Sequence, residues 1–528
     1  MSSITDAVII GGGHNGLTSA AYLAGAGKRV TVLERRSVLG GAAVTEEFHP
    51  GYRNSVCSYV ASLLHPEVVR DLDLMRHGLS FFPVTSSFQP KPDGRYLLTT
   101  GDEAHDRSQV AKFSNRDWAG MAELDGVIQQ AADLIRPLLL SPPPALIEGA
   151  MGIGDILSAG KLGLAFRRLS SEARYRTMQL FTSSVRQIVE RYIESDVIRT
   201  GYYSSSTAGS MASLDQSGSA INLLHLSLGE IAGRRGGWAF AKGGMGAISE
   251  AIAAAARERG ADIRTNAAVE RIVVENGRAV GVRLGDGEEI RARCVLSGCE
   301  PKLTFLKLLE AADLDETFRA DISGWRTESG SFRMSLALRE LPDFICVPGT
   351  DQASHHEGFI SLKPSTTAID RAWLQAKAGN WPDEPLITMV IPSTKDDTLA
   401  PAGHHVVSVF CQHFPYQLSG GRSWDDCKEQ AADTIIATIG RYAPNLQDAV
   451  IARQVLSPLD LEREFGLTGG DVYHGKMELD QIFAMRPHPK CAGHKTPIDG
   501  LYLCGAGTHP GGGVSGAPGH NAARVVLG

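Results

Sequence analysis

At 528 residues the chain is longer than one simple core supports, and two or more domains are expected. Its 43% hydrophobic and 21% charged residues are ordinary for a globular protein in water, and a net charge of -7 carries no basic footprint for nucleic acid. No uncharged apolar run is long enough to cross a bilayer, and the eight cysteines are scattered as in a reduced intracellular protein, so the cytoplasm is the expected compartment.

The first strand is expected at 6–10, which leaves no room before it for a targeting peptide. This apolar run ends in Gly11-Gly12-Gly13-His14-Asn15-Gly16. Gly11 suits the tight turn, Gly13 the close approach of backbone to a pyrophosphate, and Gly16 close packing of helix on strand. Gly12 and Asn15 fall in the same turn and are assigned to the cofactor with them. A helix faced by Ala20, Ala21 and Ala24 follows, closed by Gly27, and a second strand at 29–33 runs into Glu34. A lone glycine triplet is weak evidence, but strand, helix and an acid at that remove supply the context of a dinucleotide site. Glu34 should accept hydrogen bonds from ribose hydroxyls and repel a 2′-phosphate. Beyond it, Arg35 and the Gly40-Gly41-Ala42 stretch offer further groups to the diphosphate. This extension looks like the FAD form of the motif, while spacing alone leaves NAD open.

In the middle of the chain, Lys242-Gly243-Gly244-Met245-Gly246 precedes an alanine-rich helix at 248–259. Strands are expected at 262–265, 269–275, 278–284 and 289–296, with turns at Asn276-Gly277 and Asp286-Gly287. Near the C-terminus a strand at 501–504 runs into Gly505-Ala506-Gly507-Thr508-His509-Pro510-Gly511-Gly512-Gly513-Val514, and a closing helix reaches Leu527. Its N-terminal dipole would favour negative charge on a flavin ring nearby.

Three stretches carry a family resemblance: 6–47, the Lys242-Gly-Gly-Met-Gly block, and Gly505-Ala-Gly-Thr-His-Pro-Gly. They resemble the phytoene-desaturase-related flavoproteins. Gly13-His14-Asn15-Gly16-Leu17, Cys411-Gln412-His413-Phe414-Pro415-Tyr416, His474-Gly475-Lys476-Met477-Glu478-Leu479-Asp480 and Ser515-Gly516-Ala517-Pro518-Gly519 are similar to its pyridine nucleotide-disulfide oxidoreductase domain-containing protein 2 subgroup. The resemblance implies an α/β, FAD-binding Rossmann-like fold of the two-dinucleotide-binding-domain type. Its FAD domain is discontinuous (1–75, 237–305 and 485–528), and an α+β substrate domain with a helical lid takes 76–236 and 306–484. It also implies bound FAD and oxidoreductase activity, with Val269 in the adenine pocket and Gly505 and Val514 beside the flavin.

The expected reaction is dehydrogenation or desaturation, with hydride passing from an apolar organic substrate to flavin N5. A redox-neutral isomerase and a flavin-containing regulatory protein with little turnover remain as alternatives. Amine oxidation is the weaker reading. Amine oxidases on this scaffold place Arg after the paired glycines, where Ala42 stands, and a walling aromatic where Gly513 to Ala517 are small.

Other signals have plainer readings. Cys294 and Cys299 have redox-pair spacing, but an extended strand holds such sulfurs apart. His355-His356 and His404-His405 are expected in solvated loops, and no metal site is expected. His413 and His474 should lie near the flavin–substrate junction, in packing or hydrogen-bonding roles. Helices between about Asp117 and Gly236, with Leu134, Leu138, Leu157, Leu162 and Leu164 at helical spacing, should roof the substrate cavity. The apolar stretch 137–160 fits a buried lid or a lipid entrance touching a membrane surface equally well.

Overall fold

The computed structural model describes residues 4–143, 160 and 163–528. Strand Thr5–Ile10 is buried over its last four residues, as an apolar run inside a parallel sheet must be. It pairs in parallel with Val30–Leu33 on one side and Glu289–Ser297 on the other, setting Ala7 against Val30 and Cys294. Asp262–Arg264 adds outside Val30–Leu33. On its other edge strand Glu289–Ser297 is shared by two further partners. Its first residues run antiparallel to Arg278–Leu284, and its last three run parallel to Leu501–Leu503. The product is a seven-stranded sheet drawn from both ends and the middle of the chain. At the turn between Val269–Glu275 and Arg278–Leu284, Asn276 and Gly277 both take positive φ (51° and 75°), the conformation that matches strand twist.

Three helices cover one face of this sheet. His14–Gly25 lies against both Gly246–Glu258 and Ala517–Leu527, and its Ala20, Ala21 and Ala24 are buried in that seam. Ser19 Oγ donates to Gly519 O at 2.8 Å, tying the first helix to the last. The C-terminal segment is thereby held directly over the N-terminal glycine turn.

A second seven-stranded sheet runs in the order Val450–Leu456, Phe332–Leu338, His405–Gln412, Leu386–Val390, Phe359–Leu362, Ser87–Pro90, Tyr96–Thr99. Helix Trp424–Gly440 packs Ala431, Ile435 and Ile439 onto it. On its other side the helices Asp117–Ile135, Ser171–Thr182, Val185–Tyr192 and Asp196–Ser206 bury Leu124, Ile128, Leu180 and Ile188 with Ile369 and Leu386. No described helix is long and apolar enough to cross a membrane.

Two expectations need correction or restriction. His355 and His356 are not solvated: they are 5% and 0% exposed, in a short turn whose rings pack on Phe344, and His356 Nε2 bonds Pro342 O at 2.9 Å. Flanking aromatics, rather than water, fill their surroundings, and His404 and His405 are half-buried. Among the described residues no group of His, Cys, Asp and Glu could hold a metal. Of the apolar stretch 137–160, residues 144–159 lie outside the described residues, as do Lys161 and Leu162. Its first residues dock on the C-terminal segment, with Asn521 Nδ2 donating to Leu139 O at 2.9 Å. Leu164 is exposed.

Candidate active site

The two sheets meet at a cavity of about 520 Å³, within the ordinary range for a small-molecule site. Gly11, Gly13, Asn15 and Gly16 line it, with Glu34, Arg35, Gly41, Ala42, Val269 and Val514. The turn is compact because a Cβ on Gly16 would stand 2.2 Å from Gly11 O, so only glycine lets the helix begin there. Helix His14–Gly25 has no side-chain cap at its N-terminus, so its first N–H groups are left for a ligand.

Glu34 is fixed by backbone. Its Oε2 accepts from Gly12 N at 2.8 Å and its Oε1 from Arg36 N at 2.9 Å. Gly12 itself does not line the cavity, because its N–H is committed to this carboxylate; it positions Glu34 rather than holding cofactor. Gly505 is likewise absent from the wall. A Cβ there would stand 2.4 Å from Gly298 O, so its work is close packing, and Ala506 faces the cavity in its place. Arg35 is exposed, and its guanidinium donates to Arg463 O and Glu464 O at 3.1 and 2.7 Å. The last helix begins three residues beyond Val514, and its first N–H donates to Ser515 Oγ at 3.2 Å.

Of the two histidines expected at the junction, His474 lines the cavity and His413 does not. Burial holds His474 near a pKa of about 3, aided by the charge of Arg486, and burial likewise lowers His14, also in the wall, to about 4. Both rings are therefore neutral at physiological pH, and His14 Nε2 bonds Gly513 O at 3.2 Å. Cys294 and Cys299 are free thiols, both pushed up to about 11 by burial, so neither is a ready thiolate. Cys299 is in the cavity wall, while Cys294 Sγ donates to Asp6 O on the neighbouring strand at 3.4 Å.

Several wall residues carry no sequence motif. Tyr59 and Phe410 stack with ring centroids 5.7 Å apart, and Tyr473 joins them in the wall. Behind them sits Arg333, 2% exposed, with its guanidinium 4.6 Å from the Tyr59 ring centroid. Its one signal in the sequence is a charge inside the strand Phe332–Leu338, every residue of which is buried. Glu300 also lines the cavity; burial raises its carboxyl, and its Oε1 has no partner.

Residues 16–324 match the sequence profile of the flavin containing amine oxidoreductases. Across 99% of this chain and 93% of its own length, the pyridine nucleotide-disulfide oxidoreductase domain-containing protein 2 of Rattus norvegicus is 39% identical. The chain belongs to the flavin containing amine oxidoreductase family. A limonene dehydrogenase subunit from Castellaniella defragrans is 27% identical over 99% of this chain and 94% of its own. Putrescine oxidase shares the fold, with a TM-score of 0.62 at 15% identity over 99% of this chain and 98% of its own.

This flavin-dependent oxidoreductase uses FAD, and the residues present fit it. The uncapped helix start and Gly13 suit a diphosphate, and Glu34 is oriented for ribose. Asn15 Oδ1 and Glu300 Oε1 are buried acceptors without partners, which a hydroxyl-bearing ligand would satisfy. Replacing Glu34 with alanine removes the carboxylate that would meet the ribose and leaves the Gly12 N–H unpaired. Flavin titration of this variant should show FAD affinity weakened about tenfold or more, the scale of one charge-assisted hydrogen bond. Unchanged affinity would remove Glu34 from the site.

Proposed function

We propose that this oxidoreductase takes hydride from an apolar organic substrate, as a dehydrogenase or desaturase, rather than from an amine. The observation that carries the reading is the wall where the second sheet meets the first. There Tyr59, Val60, Leu63, Phe410 and Val514 face the cavity, and the acids in its described wall are Glu34 and Glu300. Glu34 is oriented for ribose and Glu300 caps helix Pro301–Leu306, accepting from Leu303 N at 3.1 Å and Thr468 Oγ1 at 2.8 Å. Of the oxygens of these two carboxyls Glu300 Oε1 alone lacks a partner, and burial raises that carboxyl, which disfavours the anion an ammonium group would pair with. Burial of hydrocarbon against these side chains supplies roughly 25 cal/mol per Å² of apolar surface, enough to bind a long chain without ion pairs.

FAD, when bound, supplies the hydride acceptor. The chain contributes placement of the donor carbon, exclusion of water by the apolar wall, and neutral His14 and His474, neither of which is an imidazolium acid at neutral pH. The names of two relatives, the Castellaniella limonene dehydrogenase and the phytoene desaturase of Paracoccus, which is 24% identical, lend support from hydrocarbon chemistry. The test is anaerobic mixing of the FAD-loaded protein with a terpenoid or polyene hydrocarbon and, in parallel, with a primary alkylamine. Loss of oxidised-flavin absorbance with the hydrocarbon alone is expected. Rapid bleaching by the amine alone would overturn the reading, and product formed with no net oxidation would move it to isomerisation.

A further inference from the structure

Arg333 and Arg486 are the two largest fully buried side chains among the described residues, and both stand behind the cavity wall. Arg333 donates to Val409 O at 2.9 Å, Ser408 Oγ at 2.7 Å, Val56 O at 3.2 Å and Ser55 O at 3.4 Å. Every acceptor is neutral, and among the described residues it has no salt-bridge partner. A buried charge held only by dipoles projects a positive potential into its surroundings, because little water screens it. Its outlet toward the cavity is the pair of rings it faces: Tyr59 at 4.6 Å and Phe410 at 5.9 Å.

Two consequences follow at those rings. A ring whose face already holds a guanidinium cannot hold a substrate ammonium there, and a second cation is repelled across it. A phenol with a cation at its face is also a stronger hydrogen-bond donor toward an anion. Two neighbouring wall hydroxyls are engaged elsewhere: Tyr473 Oη donates to Ala208 O at 3.2 Å, and Ser58 Oγ to Ala42 O at 2.9 Å. The Tyr59 hydroxyl makes no hydrogen bond among the described residues, while its ring packs against both Arg333 and Phe410 in the cavity wall.

We propose that Tyr59 is a substrate anchor that donates its hydroxyl hydrogen to a carboxylate on an otherwise apolar substrate, and that Arg333 is the residue that selects for that charge. The proposal rests on the reading of this cavity end as a hydrocarbon site and narrows it to apolar acids.

The experiment titrates the FAD-loaded protein with three saturated probes of equal chain length, decanoate, decanol and decylamine, following perturbation of the flavin spectrum. Decanoate is expected to bind tightest and decylamine weakest, with about tenfold or more between them. Tyr59→Phe removes one oxygen and keeps the stacked ring. It should weaken decanoate about tenfold and leave decanol and decylamine where they were, with FAD content unchanged. Arg333→Met should erase the preference of decanoate over decylamine. A wild-type protein that binds decanoate no tighter than decylamine, or a Tyr59→Phe protein that binds it as tightly as wild type, overturns the proposal. Because saturated probes are read by binding and not by flavin reduction, this result is separate from failure of the hydride reading.

Discussion

Acidification from pH 7 should unfold this protein cooperatively between about pH 6 and 5, well above the range in which carboxylates titrate. Burial lowers His14, His225, His355, His413, His494 and His509 to a pKa of about 4, and His474 to about 3. In the unfolded chain each would titrate near 6.5. Below that value the unfolded state binds protons that the folded state refuses, so stability is fully present above pH 6.5 and is lost as pH falls toward 4. One unit below 6.5 each histidine contributes a loss on the order of 1 kcal/mol, and the seven together on the order of 10 kcal/mol. Global stability is ~5–15 kcal/mol, so the loss is of the same size. Four carboxyls that burial raises, Asp125, Glu300, Glu464 and Asp471, act in the opposite direction but are fewer. The cause is visible in the rings themselves: both nitrogens of His413 and one each of His225, His355, His474, His494 and His509 lack partners. Far-UV circular dichroism and release of flavin fluorescence against pH would follow the transition. A protein that stays folded to pH 4 would show that these rings reach water or partners in solution.

The FAD half of the fold is legible in the sequence because its determinants are local. Gly16 meets Gly11 O within one turn, and Glu34 directly follows the very next strand. Asn276 and Gly277 likewise announce their hairpin, and strands Val269–Glu275 and Arg278–Leu284 fall at the residues expected of them. Gly12 and Gly505 read as cofactor residues because the glycine pattern does not distinguish a residue that faces a ligand from one that holds up its neighbour. Only the direction of the Gly12 N–H and the proximity of Gly298 O separate the two roles. Tyr59, Phe410, Arg333 and Tyr473 escape sequence reasoning for a different reason. They come from separate stretches that the second sheet and its connecting loops bring together, and no spacing in the sequence records that convergence. Adjacent histidines at 355 and 356 read as solvated because no Cys or Asp cluster accompanies them to make a metal site, whereas Phe88 and Phe344 enclose them here.

Arg486→Leu should be the most damaging single substitution at the site, destabilising the protein by on the order of 4 kcal/mol or more and releasing flavin. The guanidinium is fully buried and gathers five backbone carbonyls. Its Nη2 donates to Tyr473 O at 2.6 Å, Gly475 O at 3.2 Å and Ala506 O at 2.9 Å, its Nη1 to Gln481 O at 3.1 Å and Lys476 O at 3.3 Å, and its Nε to Ala506 O at 3.1 Å. These carbonyls belong to the loop carrying Tyr473 and His474 and to the turn carrying Ala506, so one side chain ties two walls of the cavity together. Trp325 closes the other face of the guanidinium at 5.4 Å. Leucine fills much of the volume and supplies no donor. Each carbonyl left unpaired costs about 1–3 kcal/mol, and water admitted to satisfy them would enter beside the reacting end of the cavity. Arg486→Lys keeps a charge but only three donors on a point-like head, so it should fall between leucine and wild type. Urea unfolding, with flavin retention measured after gel filtration, orders the three proteins. A leucine variant with the wild-type midpoint and full flavin would mean that this loop and turn are held by their packing on Trp325 and Pro301, without the guanidinium.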